Sequence, residues 1–193
     1  SGNVDQATII AERAGIQVVF GASMEFDGGQ FGNAILSRFP IRQSHVQALT
    51  QPDSAATATE PRSLLHVVVE TPRGPLHVVA THLDHRADPT ARNAQLLELL
   101  AYLADRIPEG EPVLLGGDLN SRPETSLVRA LSLNFTDAWS ACGTGPGYTF
   151  RSDAPDRRID YILLVGLVCS TAEVISTQLS DHRPLLADQA VHL

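Results

Sequence analysis

The stretch Arg62 to His82, RSLLHVVVETPRGPLHVVATH, decides the fold class. Two apolar runs, Arg62 to Glu70 and Leu76 to His82, flank Thr71-Pro72-Arg73-Gly74, which reads as a hairpin turn. In the second run Leu76, Val78, Ala80 and His82 fall on one side, so His82 ends a stripe that faces a core. Upstream, Asn33 to Leu36 and His45 to Leu49 are expected strands of the same meander. They follow a turn-rich Glu25 to Gln30 and a strand Ile16 to Phe20. Before these, Val4, Ala7, Ile10, Ala11 and Ala14 share one face of an expected helix closed by Gly15.

Downstream of the hairpin, Asp88-Pro89 reads as a cap followed by proline at the first helical position. Leu96, Leu99, Leu100, Leu103 and Ile107 then form the apolar face of a helix ended by Pro108. A strand at Val113 to Gly117, a short helix from Pro123 to Leu131 and a glycine- and proline-rich loop follow. Strands at Ile159 to Leu164, Val168 to Ile175 and Pro184 to Ala190 complete the chain. Several consecutive strands precede the second helix, which favours an α+β fold with packed sheets over strict βαβ alternation. The irregular stretch Gln51 to Glu60 is expected to be a flexible loop.

With 193 residues and 43% apolar content, the chain fits one domain, residues 1–193, around a sizeable core. The formal net charge of -8 argues against an extended basic platform for nucleic acid and implies that a polyanionic substrate needs a metal. Cys142 and Cys169 lack metal-ligand spacing and are expected as buried free thiols rather than a zinc site or a disulfide. No apolar stretch is as long as a membrane span, so the chain as given reads as soluble, with its compartment open. It starts abruptly at Ser1-Gly2-Asn3, and natural residues are expected in front.

Chemistry concentrates at four places, with two strand-end arginines besides. Val113-Leu114-Leu115-Gly116-Gly117 leads to Asp118 and Asn120, a carboxylate and an amide that point the same way if strand geometry persists. The plain structural alternative is an Asx-turn capping the next helix. Asp181 and His182 are adjacent and so point in different directions, which suits two jobs: a carboxylate for a metal, and an imidazole for a proton or a phosphoryl oxygen. Asp160 interrupts the apolar run Ile159 to Leu164 and must be paired, either with Arg157 or Arg158 or with His182. His82 closes an apolar strand, and Thr81-His82-Leu83-Asp84-His85 partly resembles the zinc motif of metallo-β-lactamase-like hydrolases. Arg62 and, more weakly, Arg38 sit at strand ends where a guanidinium can steer a phosphate.

Taken in order, Gly32-Asn33-Ala34-Ile35-Leu36-Ser37-Arg38, Thr81-His82-Leu83, Gly117-Asp118-Leu119-Asn120, Arg158-Ile159-Asp160-Tyr161 and Ser180-Asp181-His182-Arg183-Pro184 resemble the endonuclease/exonuclease/phosphatase, or DNase I-like, superfamily. The resemblance covers essentially the whole chain. It implies a four-layered α/β/β/α sandwich of two mainly antiparallel sheets flanked by helices. It also implies phosphoester hydrolysis, by a phosphodiesterase, nuclease or phosphatase, with Mg2+, or Mn2+ as the alternative, as cofactor.

By position, Asp118 resembles the acid that orients or deprotonates the attacking water, and Asn120 the amide that holds it. Asp181, with Asp118, resembles a metal ligand. His182 backed by Asp160 would contact the scissile phosphate, His82 would assist near the leaving group, and Asn33 and Arg62 would bind substrate phosphate. The family's metal-binding glutamate, which follows an early strand, has no counterpart, and Glu12 and Glu25 are in the wrong context to replace it. The chain is therefore expected to be an N-terminally truncated copy with impaired activity. Two other readings remain: a non-catalytic binding module on the same fold, and a zinc hydrolase built on His82, Asp84 and His85. The loops carry few basic and aromatic residues, which favours a small or soluble phosphoester, with nucleic acid still possible.

Overall fold

The computed structural model describes residues 4–51 and 60–191, and the chain divides into two compact units, Ser1–Glu111 and Pro112–Leu193. Most of the expected 51–60 loop, residues 52–59, lies outside the described residues. In the first unit, helix α1 (Gln6–Ala14) starts where the Asp5 carboxylate accepts hydrogen bonds from Thr8 N at 3.0 Å and Thr8 Oγ1 at 2.7 Å. It ends at Gly15, as expected. On the face shared by Val4, Ala7, Ile10, Ala11 and Ala14 only Ala11 is buried, while Val4 and Ile10 are exposed. Capping and good helix formers, rather than a buried face, account for this helix.

Strands β1 (Gln17–Phe26) and β2 (Gly29–Ser37) pair antiparallel. They are joined by Asp27 and Gly28, both with positive φ (48° and 73°), the conformation of a tight two-residue hairpin turn. The first strand thus runs beyond Phe20, and the turn expected over Glu25 to Gln30 shrinks to its centre, since Glu25 and Gln30 are themselves cross-strand partners. Strands β3 (Ile41–Leu49), β4 (Arg62–Thr71) and β5 (Gly74–His82) form the expected antiparallel meander. Its hairpin closes at the Thr71–Gly74 pair, where Thr71 Oγ1 donates to Gly74 O at 2.7 Å.

Ile35, Leu65, Val67 and Val69 make a core against which Val19, Ile41, Val78 and Ala80 pack, so the β5 stripe does face a core. The opposite side of β5 is buried more deeply, through His77, Val79 and Thr81. Helix α2 (Thr90–Arg106) begins one residue later than expected, with Asp88 Oδ1 accepting from Thr90 N at 3.0 Å and Thr90 Oγ1 at 2.7 Å. Leu96, Leu99 and Leu103 are buried, as the periodicity predicts. Arg92 and Gln95 are buried too, because they serve loop backbone. Arg92 Nη1 donates to Asp84 O at 2.9 Å, and Gln95 Oε1 accepts from Asp84 N at 2.9 Å.

A chain of polar groups runs through this unit. His66 is hydrogen-bonded through Nδ1 to Tyr102 Oη at 3.1 Å and through Nε2 to His77 Nδ1 at 2.9 Å, and His77 in turn meets Glu111. His45, the cross-strand partner of His66, stacks on Tyr102. Burial, then the charges of His77 and His45, lower the His66 pKa to about 4. Between pH 6.5 and 4 the unfolded chain therefore takes up a proton that the folded one refuses, and stability falls as pH falls through that window. The loss is at most roughly 3 kcal/mol and levels off below about pH 4. Urea unfolding of the protein and of His66→Gln across this range is expected to show a shallower pH slope in the variant. Equal slopes would exclude His66 as the origin.

The second unit contains β6 (Val113–Asp118), α3 (Ser126–Leu131), β7 (Thr136–Asp137), α4 (Ala138–Cys142) and β8 (Asp160–Val165). Strands β9 (Leu167–Val174) and β10 (Leu185–Val191) follow. Strand β8 lies between β6 and β7, antiparallel to both, and β9 pairs antiparallel with β10. Helix α3 starts after Thr125, whose hydroxyl caps it, rather than at Pro123.

The unexpected α4 is capped by Asp137, whose Oδ1 accepts from Trp139 N at 3.1 Å. Arg158 closes on the same carboxylate with two hydrogen bonds, Nη1 to Oδ1 at 3.0 Å and Nη2 to Oδ2 at 2.7 Å, both side chains being buried. The glycine-rich loop after α4 covers Trp139, and a Cβ at Gly147 would lie 2.3 Å from the indole.

Cys142 and Cys169 form a disulfide with their Cα atoms 6.0 Å apart, and both are only half-buried. This corrects the free-thiol expectation. The pairing depends on α4 placing Cys142 beside β9, which no local pattern announces. The two units together give the mixed α+β content and antiparallel sheets expected of the fold class. No helix among the described residues is long and apolar enough to cross a membrane.

Candidate active site

Adjacent antiparallel strands bring two carboxylates side by side. Asp118 at the end of β6 and Asp160 at the start of β8 are direct cross-strand partners. Asp118 Oδ1 accepts from Asn120 N at 2.7 Å, so the Asx-turn exists, and Asn120 adopts a left-handed φ of 48° within it. The turn does not cap the following helix, whose cap is Thr125. The other oxygen, Asp118 Oδ2, lies 3.8 Å from His182 Nε2.

His182 is fixed from several sides. Its Nδ1 is hydrogen-bonded to Asp160 Oδ2 at 2.7 Å, its backbone N donates to Ser180 Oγ at 3.2 Å, and its ring lies 4.8 Å from that of Phe150. Asp160 thus pairs with His182, while Arg158 is committed to Asp137. The Asp160 hydrogen bond raises the His182 pKa. Burial opposes this, and the charges of Asp160, Asp118 and Asp181 add to it. A carboxylate behind an imidazole sets its tautomer and direction, leaving Nε2 to face Asp118.

Asp118, Asp160 and His182 offer ligand atoms that all lie within 4.8 Å of one another, each group half-buried. Two carboxylates in one spot suit a hard divalent cation such as Mg2+ or Mn2+, with no thiolate among the donors. Asp181 is exposed, its carboxylate accepting from Ser180 Oγ at 3.1 Å and its charge acting on the neighbouring His182. Tyr161 is structural: its hydroxyl donates to Ser121 O at 2.8 Å, and burial pushes its phenol pKa up.

The remaining expected residues form a group of their own in the first unit. Asn33 Nδ2 donates to Ser63 O at 3.0 Å. Arg62 is buried, donating through Nη2 to Glu60 Oε2 at 2.7 Å, and its guanidinium sits 5.9 Å from the centre of the Phe31 ring. The same ring lies 5.9 Å from that of His82. His85 Nδ1 is 3.2 Å from Arg62 Nη2.

The zinc reading finds no support here. Both oxygens of the buried Asp84 accept from Arg86 Nε at 3.0 Å, and no metal-capable cluster gathers around His82, Asp84 and His85 among the described residues. Sequence reasoning missed Phe31 and Phe150, the aromatic neighbours of His82 and His182. Neither carries a signal beyond lying in or near a motif.

The chain is 29% identical over 181 residues to the uncharacterized protein YbhP of Escherichia coli K12, covering 90% of this chain and 68% of that protein. It superposes with a TM-score of 0.83 and 26% identity on a functionally unknown conserved protein from Enterococcus faecalis V583, over 97% of this chain and 82% of that one. A TM-score of 0.79 at 24% identity relates its fold to an endonuclease/exonuclease/phosphatase from Beutenbergia cavernae, over 97% of this chain and 57% of that one. The profile of the Endonuclease/Exonuclease/phosphatase family matches residues 5–182, nearly the whole chain, and the chain belongs to that family of phosphoester hydrolases.

Proposed function

We propose that the protein hydrolyses phosphoester bonds with a water activated at Asp118, in the presence of a divalent cation, Mg2+ or Mn2+. The observation that carries this reading is the line Asp118, His182, Asp160, with separations of 3.8 and 2.7 Å. Asp118 is the acceptor for the water proton. The Asn120 amide, set two residues on by the Asx-turn, holds the water and a phosphoryl oxygen. His182 Nε2, aimed by the hydrogen bond at Nδ1, contacts the phosphoryl group as it passes through its charged transition state. A cation held by Asp118 and Asp181 would supply charge neutralisation at phosphorus. The assignment of Asp181, and those of His82 near the leaving group and Asn33 and Arg62 toward phosphate, rest on the family resemblance.

The test is release of phosphate or alcohol by the full-length protein from a panel of monoesters and diesters, with Mg2+, with Mn2+ and with a chelator. Turnover that the chelator abolishes is expected, and no turnover with either metal would refute the reading. Asp160→Asn removes the group that orients His182 and is expected to lower kcat/KM about 10- to 100-fold with the fold retained. An unchanged kcat/KM would detach Asp160 from the reaction.

A further inference from the structure

The hydrogen bond between Asp160 and His182 joins two separate pieces of chain, and both pieces hang from one residue, Thr149. Its side chain is fully buried. Thr149 Oγ1 accepts from the backbone N of Ile159 at 3.3 Å and from that of Asp160 at 3.4 Å. Thr149 O accepts from Arg183 N at 2.7 Å, one residue beyond His182, and Thr149 N donates to Arg157 O at 3.0 Å. The next residue, Phe150, bridges antiparallel to both Arg157 and His182.

The Thr149 hydroxyl supplies what the sheet does not. Ile159 O accepts from Leu119 N at 2.9 Å, just beyond the end of β6, so Asp160 N, at the far side of the same planar peptide, points away from β6. Strand β7 is the neighbour on that side, but it is two residues long and meets β8 at Leu163 and Leu164. Thr149 Oγ1 takes the N–H of Asp160 instead. In an extended strand successive N–H groups point to opposite sides, so two of them meet one oxygen only where the chain bends. The hydroxyl thus holds the bend from which β8 starts and from which the Asp160 carboxylate is aimed. The 2.7 Å bond from that carboxylate to His182 Nδ1 depends on this aim, because such bonds weaken steeply when misaligned.

Resting on the hydrolase reading, we propose that Thr149 is a positioning residue for the reaction: its hydroxyl sets Asp160, and through Asp160 the direction of His182 Nε2, while its carbonyl holds the chain on the other side of His182. It moves no proton itself. Thr149→Val keeps the shape of the side chain and the carbonyl contact to Arg183 N, and removes the acceptor for Asp160 N. The substitution therefore loosens the Asp160 side alone, which lowers kcat and spares KM.

The experiment measures kcat and KM of the full-length protein, Thr149→Val, Thr149→Cys and Thr149→Ser with Mg2+ on p-nitrophenyl phosphate and bis(p-nitrophenyl) phosphate. NMR without substrate follows the His182 Nδ1–H proton, assigned by its loss in His182→Gln. Thr149→Val is expected to lower kcat about 10- to 100-fold, to leave KM within about twofold, and to shift or broaden the Nδ1–H resonance. Thr149→Ser, which keeps the hydroxyl, is expected to retain the resonance and to bring kcat within about threefold of the parent. If Thr149→Val does not fold, Thr149→Cys, whose sulfur is a weak acceptor, takes its place. An unmoved resonance, an unchanged kcat in an active protein, or Thr149→Ser as impaired as Thr149→Val overturns the proposal and leaves Thr149 a structural role. A resonance moved by Thr149→Val and restored by Thr149→Ser supports the positioning by itself. If no ester is then turned over by the parent, only the hydrolase reading falls.

Discussion

Asp118→Asn is expected to lower turnover of any accepted phosphoester by about a thousandfold, within the range for loss of a general base. The substitution is close to isosteric, and its amide oxygen can still accept from Asn120 N, so the Asx-turn at the end of β6 has no reason to open. What disappears is the negative charge opposite His182 Nε2 and the proton acceptor for water. Circular dichroism and urea unfolding should match the parent, which separates lost chemistry from lost fold. A fall of less than tenfold would mean that the water is activated elsewhere.

The largest effect on stability is expected from Arg158→Met. Arg158 and Asp137 are both buried and joined by two hydrogen bonds, and the guanidinium also lies 4.5 Å from the centre of the Tyr161 ring. Removing one partner leaves Asp137 ionised in a dry environment, a change that costs about 3–5 kcal/mol. Trp139 N and Ser140 Oγ still donate to that carboxylate, so α4 keeps its cap and the damage stays local in origin. Adding Asp137→Asn to Arg158→Met is expected to recover part of the loss, since no uncompensated charge then remains. Urea unfolding measures both, and a single-variant loss below about 1 kcal/mol would show that the pair is solvated after all.

The hairpin Arg62 to His82 was readable because turn residues and strand residues there agree on one answer, and β4 and β5 follow it closely. Asp118 and Asp160 were readable for the opposite reason: they end or interrupt apolar runs, where a purely structural residue would be apolar, whereas His182 stood out only through the motif Ser180-Asp181-His182-Arg183-Pro184. Their side-by-side placement needed the β6 and β8 register. Helix α4 has five residues, too short for a helical period, so neither it nor the disulfide that depends on it left a trace in the sequence. Arg158 lay in a recognised motif, yet its partner Asp137 lies 21 residues away beside that same short helix. The buried His66 and His77 sit in runs that look uniformly apolar, and their burial follows from a partner chain through Tyr102 and Glu111 that sequence spacing does not reveal.

The central claim is that water, activated at Asp118, attacks phosphorus. Hydrolysis of an accepted phosphomonoester by the full-length protein in water enriched with heavy oxygen, followed by mass spectrometry of both products, tests it most directly. The account predicts that the released phosphate carries the label, that the alcohol does not, and that Asp118→Asn slows the labelled release in step with turnover. Label in the alcohol, or labelled phosphate appearing at an undiminished rate in Asp118→Asn, would contradict it.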